Sequence, residues 1–73
     1  MNDLAEKLRN ALLAAPKGDR VVTIHLFGIR HAGRLKGVNL KELADRAGIG
    51  ESFGTELRKG IRLAEFVQIT DHH

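Results

Sequence analysis

Residues 40–59, LKELADRAGIGESFGTELRK, constrain the fold more than any other part of the chain. Their apolar positions recur at the i, i+3, i+4, i+7 spacing of a helix with one buried face, at Leu40, Leu43, Ala44 and Ala47. Gly48 follows, and glycine most readily takes the left-handed conformation in which many helices end. A second helix is expected to begin around Glu51. The sequence therefore predicts two short helices joined by a tight turn.

The boundaries of this pair also carry signals. Asn39 stands where a helix cap belongs and Glu42 follows three residues later, as in a capping box. Gly60 is a plausible stop for the second helix. Beyond it, apolar residues on alternate positions through Ile69 suit an extended segment or short strand. A helix that continues through Gly60 to Glu65 is the alternative.

An amphipathic helix is predicted over Asp3–Ala15. Asp3 can cap it, and Pro16 ends it. One face is apolar and the other is charged or polar, as in a helix that lies on a core. The apolar side of this helix consists of Leu4, Leu8, Ala11, Leu12 and Ala15.

The segment from Arg20 to Leu35 fits two patterns. Residues 22–26 alternate between apolar and polar, which suits a strand. A longer set has helical spacing, comprising Ile24, Phe27, Gly28, His31 and Leu35. Asp19 as a cap and the length of the helical pattern favour a helix over residues 20–35. A strand over residues 20–27 remains the open alternative.

With 73 residues, the chain is expected to form one domain, residues 1–73, in the all-α class. Three to four helices are predicted, and a short C-terminal strand in addition to them is left open. Asp71–His73 are expected to form a frayed end. Domains this small often gain stability by association, so a homodimer is expected. The N-terminus lacks an apolar signal core and there are no cysteines, which predicts a cytoplasmic protein without a disulfide framework.

The net charge of +3 favours an acidic partner such as a nucleic acid, but the charge is unevenly distributed. Residues 1–38 carry seven Lys and Arg against three acidic residues, whereas residues 39–73 carry five against six. Duplex affinity comes mainly from neutralising phosphates. The neutral second half therefore argues against strong binding by that half alone.

Residues 40–59 resemble the helix-turn-helix class of small bacterial DNA-binding domains, through Leu43, Ala44, Gly48, Ile49 and Leu57. The string AGIGESFGTELRKG is also similar to that of small bacterial proteins described only as helix-turn-helix-like. The resemblance implies DNA binding and transcription regulation. One departure is Gly54, which would stand midway in the second helix where the motif usually has a branched apolar residue. Phe53 could supply that packing instead.

If the second helix enters a DNA groove, hydroxyl and basic side chains are the expected contacts. These are Ser52, Thr55, Arg58 and Lys59, with Arg62 just beyond them. A second basic group, Arg30, Arg34 and Lys36, is a candidate for phosphate contact. Both groups also fit a plain solvated surface, and Glu51 and Glu56 on the second helix would repel phosphates.

No catalytic, metal or cofactor site is predicted. His25 and His31 are six residues apart, which does not place them on one helical face. No nucleophile-elbow or phosphate-loop motif is present, so an enzyme is not expected. The alternative function is a protein-interaction module on the same scaffold. A buried Phe53 beside an open basic face would favour DNA, whereas an exposed Phe53 flanked by Ile61 and Phe66 would favour a protein partner.

Overall fold

Helices make up most of residues 1–69, the part of the chain that the computed structural model describes. The helices are α1 (Asn2–Ala14), α2 (Arg20–Arg30), α3 (Ala32–Leu35), α4 (Leu40–Arg46) and α5 (Gly54–Leu63), with a 3-10 helix at Glu51–Phe53. No strand occurs within residues 1–69, so the all-α prediction is confirmed and the alternatives of a strand at 20–27 or after Gly60 are wrong. The frayed end expected at Asp71–His73 lies outside the described residues.

One apolar core joins all five α-helices, because each helix contributes its predicted buried positions. The helix α1 contributes a stripe, α2 and α4 contribute two large side chains each, and α3 and α5 contribute one each. The fully buried members with the largest volumes are Leu8, Ile24, Leu35, Leu43 and Leu57. The helical spacing in the sequence therefore identified most of the core.

The helix α4 begins and ends as predicted. The backbone N–H of Glu42 donates to Asn39 Oδ1 at 3.1 Å, so Asn39 is the cap. The Glu42 carboxylate accepts from Arg46 at 2.8 Å instead of completing the reciprocal half of the box. At the other end Gly48 has φ +77°, and the N–H groups of Gly48 and Ile49 donate to the carbonyls of Asp45 and Ala44. This pair of bonds is a Schellman ending, which turns the chain sharply.

The start of α1 differs from the prediction. The helix begins at Asn2, with Met1 in the cap position, because the Ala5 N–H already bonds to the Met1 carbonyl. Asp3 therefore lies in the first turn and does not cap. Its carboxylate accepts from Arg34 at 2.9 Å, which ties α1 to α3. The helix ends at Ala14, one residue earlier than expected.

The single helix expected over residues 20–35 is interrupted at His31. The backbone there has φ −110° and ψ 19°, outside the helical range, and α3 follows as one short turn. His31 and Gly33 both have low helix propensity, so the break costs little. After it, Leu35 is buried in the core. Asp19 occupies the cap position of α2 without a side-chain capping bond.

Gly60 does not end the last helix, because α5 continues to Leu63. Gly60 is buried where α5 crosses α2. A Cβ atom at this position would lie 2.5 Å from the backbone oxygen of His25, and one at Gly28 would lie 2.8 Å from that of Leu57. The glycine therefore serves the close approach of two helices, and its helical conformation leaves the chain free to continue.

Candidate nucleic-acid interface

The turn between α4 and α5 sets the orientation of α5, the candidate reading helix, which is the one that would enter a DNA groove. Gly54 is the first residue of α5 and not a midpoint as expected, because the preceding turn forms the 3-10 helix. It is buried against α4, and a Cβ atom there would lie 3.2 Å from the backbone nitrogen of Lys41. A branched side chain would not fit at that distance. Phe53 is half-buried and packs against the core, which is the first of the two alternatives that the sequence left open.

The exposed candidates on α5 share one side of the helix. At about 100° per residue, the four side chains span roughly 100° of the helix circumference. The buried residues Leu57 and Gly60 lie on the opposite side. We call this surface the basic arc, and it consists of Thr55, Arg58, Lys59 and Arg62, all exposed. Ser52 is also exposed and precedes the arc in the 3-10 helix.

Two shallow grooves extend the basic arc towards α3 and α4. One groove, of about 580 Å³, runs along residues 35–41 and has Lys36, Lys41 and Arg58 on its walls. The other has Lys36, Arg58 and Arg62 on its walls. Basic side chains from three elements thus meet around Arg58. The predicted residues Lys36, Arg58 and Arg62 belong to one surface although they are far apart in sequence.

Glu56, which the sequence suggested would repel phosphates, is bound by His25 of α2 and by Lys59 of the basic arc. His25 Nε2 donates to Glu56 Oε2 at 2.8 Å, which joins α5 to α2. Lys59 donates to the other carboxylate oxygen at 3.1 Å. The bonds from Lys59 and His25 lower the pKa of Glu56, because both stabilise its ionised form. The charge of Glu56 is therefore largely compensated within the protein, and part of that compensation comes from Lys59.

Arg30 and Arg34 do not line either groove beside the basic arc. Arg34 is paired with Asp3 of α1, and Arg30 lines a separate groove with Lys7 and His31. The bond from Arg34 lowers the pKa of Asp3. Arg30 and Arg34 therefore lie towards α1, apart from Lys36, which lines both grooves beside the basic arc. The sequence separated the eight predicted contacts into two groups but did not indicate that Lys36 shares a surface with Arg58.

Lys41 is a basic residue of the first groove that is not among the DNA contacts predicted from the sequence. It directly follows the buried Leu40 in the first turn of α4, and its side chain is exposed. Nothing in its sequence neighbourhood distinguishes it from an ordinary surface lysine. Its proximity to Arg58 results from the crossing of α4 and α5 at Gly54, which the linear spacing does not reveal.

Other kinds of site lack support in the part of the chain that the structure describes. Among residues 1–69, no three histidine or acidic side chains are grouped so that they could hold a metal ion. None of the helices there has the length and apolar character needed to cross a membrane. The basic arc and its grooves are therefore the strongest candidate site.

Comparison with known proteins gives the scaffold its family. No curated protein and no solved structure matches the chain significantly. A family model described as an HTH-like domain matches residues 1–70. The paired helices α4 and α5 with the Gly48 turn have a helix-turn-helix arrangement, which is compatible with DNA binding. The chain therefore belongs to the HTH-like domain family.

Proposed function

We propose that this protein binds double-stranded DNA through the basic arc and acts as a small cytoplasmic transcriptional regulator, not as an enzyme. The observation that most directly supports this is that the exposed side chains of Arg58 and Arg62 form no ion pair or hydrogen bond with another side chain within residues 1–69. Both project from the helix that follows the turn, where helix-turn-helix proteins place base contacts. Phe53 packs against the core, which leaves this surface polar and supports DNA over a protein ligand here.

The positions of the side chains suggest a division of roles. Thr55, Arg58 and Arg62 project from one side of α5, and arginine and threonine can bond to base edges in the major groove. Ser52 precedes the helix and is placed for a phosphate oxygen. Lys36 and Lys41 lie across the groove from Arg58, on the elements beside the reading helix. We assign both lysines to the DNA backbone.

The charge distribution predicts a moderate affinity for duplex DNA that decreases as the salt concentration rises. Four basic side chains, Lys36, Lys41, Arg58 and Arg62, surround the proposed contact. If all four met phosphates, the logarithm of the binding constant would fall with a slope of about −3.6 against the logarithm of salt concentration. Bidentate contacts of arginine with bases would add sequence preference to this term.

A fluorescence-anisotropy titration with mixed-sequence duplex DNA at about 50 mM and about 200 mM salt tests the proposal. Arg58→Ala should weaken binding roughly 5- to 20-fold and make the salt slope shallower by about 1. The matched control is Arg9→Ala, which removes the same charge from the exposed side of α1. Its effect should stay within about twofold.

Two outcomes would refute the proposal. One is the absence of binding by the wild-type chain at about 50 mM salt, where phosphate contacts are strong. The other is equal weakening by Arg58→Ala and Arg9→Ala, because the effect would then reflect net charge and not the basic arc.

A protein-interaction role is the second candidate, and one observation favours it. Phe66 is 74% exposed just after α5, and large aromatic side chains in water commonly mark contact surfaces. Phe66 does not belong to the basic arc, so a protein contact at Phe66 and DNA binding at the arc are compatible in one molecule.

A further inference from the structure

The outer face of α2 is apolar although it is exposed. Val22 is 55% exposed and Leu26 is 47% exposed, on the side of α2 opposite the buried Ile24. Residues 21–29 contain no Lys, Arg, Asp or Glu. The solvated face of a surface helix normally carries charged or polar residues. The composition of α2 therefore fits a helix that is covered on both sides.

The end of the described chain adds to this surface. Ile69 lines a groove together with Leu26 and Phe27, so the residues after α5 run back beside α2. Leu63, Phe66 and Val67, on the way to Ile69, are 41%, 74% and 50% exposed. We define the apolar face as Val22, Leu26, Leu63, Phe66 and Val67.

We propose that the apolar face is a dimer interface and that a second copy of this chain covers it. Side chains of this size present roughly 150 Å² each when free, so their exposed fractions amount to roughly 400 Å² of apolar surface per copy. A standard stable interface covers about 800 Å² per partner, of which somewhat more than half is apolar. The apolar face therefore supplies most of the apolar area that a stable dimer needs.

Electrostatics favour a second copy as the occupant. A two-fold interface brings the same surface of each copy together, so any fixed charge at its centre meets its own like charge. Residues 21–29 carry no such charge, and the exposed Arg30 lies at the C-terminal end of α2, one turn beyond Leu26. The chain is basic overall, so two copies repel each other less across these apolar side chains than across a basic surface.

The proposed dimer leaves the part of the basic arc around Arg58 accessible. Arg58 lies about 140° around α5 from Leu63 and Arg62 about 100° from it, whereas Lys59 lies only about 40° away, at the edge of the proposed interface. Two copies would then present two reading helices to one duplex, as in dimeric helix-turn-helix proteins. Dimer formation does not depend on the proposed DNA binding, because the interface residues and the basic arc are different.

Sedimentation equilibrium without DNA tests the dimer, so its result is independent of the DNA titration. Wild-type protein should sediment at about twice the 8.1 kDa chain mass at micromolar concentrations. Leu26→Glu and Phe66→Glu should each weaken dimerisation about 100-fold or more, because each places an unpaired charge in the interface. The matched control is Leu13→Glu on α1, where the leucine is 75% exposed outside the apolar face. It should leave the mass unchanged.

Circular dichroism of each variant shows whether the helices are retained. If Leu26→Glu unfolds the chain, Phe66→Glu decides, because Phe66 lies after the last helix and outside the core. A wild-type monomer at about 100 μM would overturn the proposal. So would dissociation by Leu13→Glu alone, or a folded Phe66→Glu protein that dimerises as tightly as wild type.

Discussion

At the scale of single residues, Gly48 shows how one backbone conformation determines a turn. Its φ of +77° is unfavourable for a side chain with Cβ, while the space around a Cβ atom there is empty. The requirement for glycine is therefore conformational and not steric. This is why the sequence alone could place the turn, since the helical stripe ends directly before a glycine.

We expect Gly48→Ala to lower the free energy of unfolding by about 1–2 kcal/mol, since alanine is strained in the left-handed region. The control is Gly33→Ala in α3, which also has open space around its Cβ but no positive φ. That variant should be stabilised by up to about 1 kcal/mol through helix propensity. Chemical denaturation measures both, and equal effects would contradict the turn assignment.

His31 is the residue at which a pH effect is expected. Burial lowers the pKa of its imidazole, and Lys7, Arg34 and Arg30 lower it further by repelling the positive form. The unfolded chain therefore binds the proton more readily than the folded one. The stabilising contribution is complete above the ordinary histidine pKa of about 6.5 and is lost as the pH falls from that value through the lower pKa of the folded state.

Thermal melts between about pH 8 and about pH 5 measure this contribution. Stability of the wild-type chain should decline across that range, and His31→Gln should decline less steeply because it cannot take up the proton. The other histidines and the acids are the same in both proteins, so they cancel in the difference. Parallel curves for the two proteins would show that His31 does not contribute.

At the scale of helices, the sequence predicted most elements and missed how they meet. The apolar stripes of α1, of α4 and of residues 20–35 were identified because helical spacing is a local property. The break at His31 was not identified, and the continuation of α5 through Gly60 was only the alternative. Both depend on packing, since α3 turns Leu35 into the core and Gly60 allows the backbones of α2 and α5 to approach closely.

Gly60→Ala tests this close approach. Helix propensity alone would make the substitution stabilising by roughly 1 kcal/mol. The added Cβ, however, would lie 2.5 Å from the His25 backbone oxygen, so α2 and α5 must move apart. We expect a net loss of about 1–3 kcal/mol in the free energy of unfolding, the usual cost of overpacking. Gly33→Ala is again the matched control, and stabilisation by both substitutions would refute the crossing.

At the scale of the whole molecule, the placement of charge matters more than the total. The net charge of +3 is visible in the sequence, as is the near-neutral second half. In the fold, Lys36 from the first half joins Arg58 and Arg62 from the second, while Glu56 is bound by His25 and Lys59. A segment that is neutral in sequence thus carries an exposed basic surface.

The sequence by itself determined the all-α class, the Asn39 cap, the Gly48 turn and most of the core. These features depend on spacing and on backbone conformations that neighbouring residues control. Only the tertiary structure shows which basic residues share a surface, why Gly54 and Gly60 lack side chains, and that Ile69 lies beside Leu26 of α2. Those properties depend on contacts between helices distant in sequence, which local patterns do not specify.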